Sequence, residues 1–189
     1  CKARSVGCSE IYKKFYRPHS DPFIESRLRL ENTARAAAEG YLDIVEMLVD
    51  RTRPPADYNQ SLEVAARGGH LPVIKFFIEL GIDPQFNNNR LIEVGVYSEN
   101  IEVVRYLIDI GVDPLRQNGR ALSAACQDGS IELVKFLVDI GYDIHAGQEV
   151  ALDMAVRGGY LHIVQYLVSL GANSRIIFFL MIRRPPRST

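Results

Sequence analysis

The stretch LEVAARGGHLPVIKFFIELGID, residues 62–83, contains two patterns in succession. Leu62, Ala65 and Ala66 lie at i, i+3 and i+4, which predicts a short helix with one apolar face. After Gly68-Gly69-His70 comes a second run, Leu71 to Leu80, with Leu71, Ile74, Phe77 and Ile78 on one stripe and Lys75 and Glu79 outside it. Pro72 falls in the first turn, where its missing N–H is not needed. Gly81 can take the left-handed conformation that ends a helix, and Asp83-Pro84 is turn chemistry.

The same unit recurs outward from this stretch. The first residues of the second helices, Leu42, Leu71, Ile101, Ile131 and Leu161, recur at a nearly constant interval, and the step from Leu71 to Ile101 is repeated to Ile131 and to Leu161. Gly81, Gly111, Gly141 and Gly171 follow the last four, and Leu62, Ile92, Leu122 and Leu152 precede them in register. Small residues recur at Ala65, Gly95, Ala125 and Ala155, where neighbouring helices can approach closely. Helices this short do not persist alone, so the units must stack into a solenoid whose stability is summed over units and interfaces. The array is expected over 32–174, in five units at about 32–60, 61–90, 91–120, 121–150 and 151–174. Upstream, Gly7, Glu10 and Lys13 match Gly129, Glu132 and Lys135, so 1–31 reads as the outer helix of a truncated repeat followed by a linker.

These residues resemble the ankyrin family, whose pattern pairs alanines with Gly-His-Leu, a leucine-rich second helix and Gly-Ala-Asp. The closest stretches are 62–83 and ALDMAVRGGYLHIVQYLVSLGAN, 151–173. The TPLH start is absent. The ordinary unit, about 33 residues long, is shortened to about thirty, as in the variant of large amoeba-infecting viruses. The resemblance implies an all-α helix-turn-helix solenoid with short loops in place of full β-hairpin fingers. It also implies protein binding along a concave face built from the loop edge and the first helices. Carried over by register, the helix positions are Arg67, Tyr97, Gln127 and Arg157. The loop-edge positions are Phe86, Asn87, Asn88 and Arg90, then Arg116, Asn118 and Arg120, then His145 and Gln148. Tyr97 and Phe86 are the favoured anchors, since aromatic and arginine side chains dominate interfaces; Phe86 could instead pack on its own loop. The arginines hint at an acidic partner, although Glu63, Glu93, Glu149 and Asp153 dilute that field.

Catalytic chemistry finds little support. The histidines, His19, His70, His145 and His162, occupy different units without metal-helix spacing. Neither phosphate-loop pattern occurs, and Cys126 reads as a small buried side chain. Three cysteines without a CxxC argue against a disulfide framework or zinc and fit a reducing compartment, cytoplasmic or nuclear. A formal charge of −1 lacks the footprint of a general nucleic-acid binder. No leader follows Cys1, and no membrane association is expected. The sequence thus points to a monomeric, non-enzymatic interaction module without cofactor or metal. A second reading is a fragment of a larger adaptor or substrate receptor, and a third is the regulatory array of an enzyme.

After Ser174 the periodicity ends in RIIFFLMIRRPPRST. Its seven apolar residues, Ile176–Ile182, fall short of the ~20 that span a bilayer. A hydrophobic cap on the last repeat is conceivable, but FFLMIRRPPRST resembles translated sequencing-adapter DNA. Residues 175–189 are therefore expected to be an artefact outside the natural protein.

Overall fold

The protein is described by a computed structural model covering residues 13, 19–98, 100–117 and 120–173, without the side chains of 87–89, 116, 117 and 148. The expectations for the tail at 175–189 and for nearly all of 1–18 lie outside the described residues. Among the described residues there are ten α-helices and no strand, an all-α repeat solenoid.

The inner row comprises α1 (Pro22–Ala38), α3 (Asn59–Arg67), α5 (Phe86–Val96), α7 (Arg120–Asp128) and α9 (Ala146–Gly158). The outer row comprises α2 (Leu42–Leu48), α4 (Leu71–Glu79), α6 (Ile101–Asp109), α8 (Ile131–Asp139) and α10 (Leu161–Ser169). Each inner helix packs on its own outer helix and on the next inner helix. Short 3₁₀ turns at Pro55–Tyr58 and Pro114–Gln117 lead into α3 and α7.

The core follows the periodicity residue by residue. Inner helices bury Leu62, Ala65 and Ala66, then Leu122, Ala125 and Cys126; outer helices bury Val73, Ile74 and Phe77, then Leu133, Val134 and Leu137. Full burial of one such aliphatic side chain stabilises by about 1.5–3 kcal/mol. At Gly95 the close approach is tight: a Cβ there would stand 3.3 Å from Val103 Cγ1.

The outer helices end in one repeated turn. In the second unit Gly81 takes φ 98°, its N–H donates to Ile78 O at 2.9 Å, and Ile82 N–H donates to Phe77 O at 3.2 Å. This Schellman arrangement recurs at Gly111, Gly141 and Gly171. The following residues, Ile82, Val112, Tyr142 and Ala172, are buried plugs. The next aspartates turn the chain: Asp83, Asp113 and Asp143 each accept, through Oδ1, the N–H two residues on at 2.9 Å.

Two features depart from the sequence expectation. The segment expected as a linker is helical from Pro22, and α1 runs unbroken through 31–32. Asp21 caps it by accepting Phe23 N–H at 2.8 Å, and no Pro or Gly interrupts the chain before Gly40. Phe86, Asn87, Asn88 and Arg90, expected on a loop edge, lie within α5, because the Asp83 turn is tight enough for helix to begin at Phe86, and Arg120 and Gln148 likewise fall within α7 and α9.

Outer and inner rows are also tied across units. His70 Nε2–H donates to Ala38 O at 2.9 Å, and Asn100 Nδ2–H donates to Gly69 O at 3.1 Å. The His70 ring fits only because Gly40 and Gly68 lack side chains: a Cβ at either would stand 2.5 or 2.6 Å from a ring atom.

Candidate interaction groove

Three consecutive inner helices bound a groove of about 310 Å³. From α5 come Glu93 and, at its C-cap, Tyr97; these lie one turn apart and so on one side. From α7 come Arg120, Ser123, Ala124 and Gln127, and from the start of α9 Ala146, Gly147, Val150 and Met154. Tyr97 is 46% exposed although its helix is otherwise largely core, leaving the ring open to a partner.

Tyr97 and Gln127, with Arg120, are therefore brought together. The other positions from the sequence are dispersed. Arg67 lies 3.9 Å and Arg90 3.4 Å from the Glu63 carboxylate, while Arg157 lies 2.7 Å from Asp153. Three of the five arginines that hinted at an acidic partner are thus paired with carboxylates of the chain itself. Arg120 forms no ion pair among the described residues. Phe86 is half-buried against the core. The side chains of Asn87, Asn88, Arg116, Asn118 and Gln148 lie outside the described residues.

His145 sits at the edge of the array. Its Nδ1 stands 2.6 Å from Glu149 Oε1, and that hydrogen bond, with the nearby Asp143 charge, raises its pKa above the ordinary 6.5 despite a smaller opposing effect of burial. Glu149 is buried, accepts Asn173 N–H at 3.3 Å, and adopts φ 67°, a left-handed conformation unusual for glutamate. These contacts tie the start of α9 to the turn after α10.

No reaction centre assembles among the described residues. Burial pushes the Cys126 thiol up to about 12, which keeps it protonated and unreactive. His70 is engaged with Ala38, and no group of three His, Cys, Asp or Glu residues is placed to hold a metal ion among the described residues. No described helix is long and apolar enough to cross a membrane.

Sequence reasoning did not anticipate Met154, Val150 or Ala124 as groove walls. A signal existed in the column Val64, Val94, Ala124, Met154, where alanine replaces a larger residue and leaves room above α7. A family model of ankyrin repeats, in three copies, matches residues 33–118 and again 92–176, well over half of the chain. No curated protein matches it.

Proposed function

The chain belongs to the ankyrin-repeat family, and from that premise we propose that it is a non-enzymatic module binding a protein partner along its concave inner face. Ankyrin repeats are generally protein–protein interaction modules and typically non-catalytic. The observation that carries the reading is the convergence of Tyr97, Arg120 and Gln127, none of them required by packing, on one open groove. An aromatic ring, a guanidinium and an amide side by side provide the apolar area and directional donors that interfaces concentrate in a few residues. The low net charge supports a protein partner over nucleic acid, and the buried free thiol suits a reducing compartment, cytoplasmic or nuclear. The module acts as a monomer, away from membranes.

The test is affinity capture with the intact chain, followed by the Tyr97→Ala and Gln127→Ala variants. Both variants should lose the same partner while melting like the wild type. A partner kept by both and lost on Glu102→Lys, on the outer row, would place binding on the opposite face and overturn the reading.

A further inference from the structure

Glu63 and Arg90 form an ion pair across the cleft between α3 and α5, at 3.4 Å. One repeat onward, in the same register, stand Glu93 and Arg120, across the cleft between α5 and α7. This second pair is open: neither residue forms an ion pair among the described residues, and both line the groove instead. Two substitutions accompany the opening. Glu63 has Arg67 one turn further along α3, whereas Glu93 has Tyr97 there. Ala124 stands where Val64 and Val94 stand in the preceding units.

The result is a cleft with a carboxylate on one wall, a guanidinium on the other, and Ala124, Val150 and Met154 providing its apolar surface. The Glu93 carboxylate is half-buried and the Arg120 guanidinium exposed at the rim, neither ion-paired among the described residues, so opposite charges arriving together match them best. A volume of about 310 Å³ lies at the small end of ligand pockets, about 300–1,000 Å³, so it suits a few side chains of an extended strand and not a folded surface. We propose that the groove binds an extended peptide segment in which an aliphatic side chain enters between an acidic residue, held by Arg120, and a basic residue, held by Glu93. This rests on the concave-face reading above and specifies the partner's chemistry.

The experiment pans a random dodecapeptide display library against the intact chain and measures the enriched peptides on variants. Peptides selected by the wild type should carry an acidic and a basic residue around an aliphatic one. Arg120→Glu and Glu93→Arg should each weaken them by about tenfold, the scale of one lost charge-assisted contact. The double variant Glu93→Arg/Arg120→Glu should select peptides with the charges in the opposite order. If peptides lose affinity on Tyr97→Ala but ignore both reversals, the concave-face reading stands and this inference falls. If no peptide is enriched, this inference falls, and the concave-face reading stands or falls on the capture experiment; if those enriched ignore Tyr97→Ala as well, both fall. Should the single reversals lower the melting midpoint and the double restore it with peptide choice unchanged, the charges serve only each other and the inference is wrong.

Discussion

The Lys75 ammonium stands 5.3 Å from the centre of the Tyr106 ring, reaching from one outer helix to the next. Arg105 lies over Phe136 at 5.0 Å and Lys135 over Tyr166 at 5.7 Å, each reaching into the following unit. In the first unit Glu46 occupies the cation's register position, and Arg51, five residues on, covers Phe76 at 5.7 Å instead. A cation–π contact at a solvent-facing site stabilises by about 0.5–1 kcal/mol. A double-mutant cycle with Lys75→Met and Tyr106→Leu should return a coupling of about that size from urea unfolding. Additive losses would show that the stacking contributes nothing beyond hydrophobic contact.

Leu122 is fully buried between inner helices, while Gln127, five residues on, is exposed. Leu122→Ala should cost about 2–5 kcal/mol, including the cavity left behind. Gln127→Ala should stay within about 0.5 kcal/mol. Equal shifts in the unfolding midpoint would mean that the two faces of α7 have been assigned wrongly.

This contrast also marks what was legible in the sequence. Positions such as Leu122, Ala125 and Gly141 repeat because packing and turn geometry allow few residues there, so period alone locates the core and the helix ends. The groove was half legible. Tyr97 and Gln127 stand out in a column where packing imposes nothing, but Glu93 and Arg120 become a pair only once α5 and α7 are side by side. The Lys75–Tyr106 contact was hidden for the same reason, since a charge and an aromatic in different units form no local pattern. The internal pairing of Arg67, Arg90 and Arg157 likewise depends on side-chain reach across and along helices.

The His145–Glu149 hydrogen bond makes stability depend on pH. The folded pKa of His145 is raised above its ordinary 6.5. The contribution should therefore be complete below that value and fade as pH rises through the folded pKa. Thermal midpoints of the wild type and His145→Gln should differ most in mild acid and converge toward alkaline pH. A difference constant with pH would show that the imidazole does not gain a proton-linked partner on folding.

Cys126 is wholly enclosed, with its pKa pushed up to about 12 by burial. N-ethylmaleimide at pH 8, followed by peptide mass mapping, should leave Cys126 unmodified in the folded protein and label it in urea. Rapid native labelling would mean that α7 opens far more readily than its packing implies.

The repeating outer-row contacts restrict how such a chain can vary in length. Gain or loss of one whole internal unit, such as 91–120, leaves every cation above a ring and every closing turn with its buried plug. A change of any other size strands a charge and misplaces a glycine within the same neighbourhood. Growth and shrinkage are in this sense quantised, and a duplicated unit would arrive with its side-chain partners already in register.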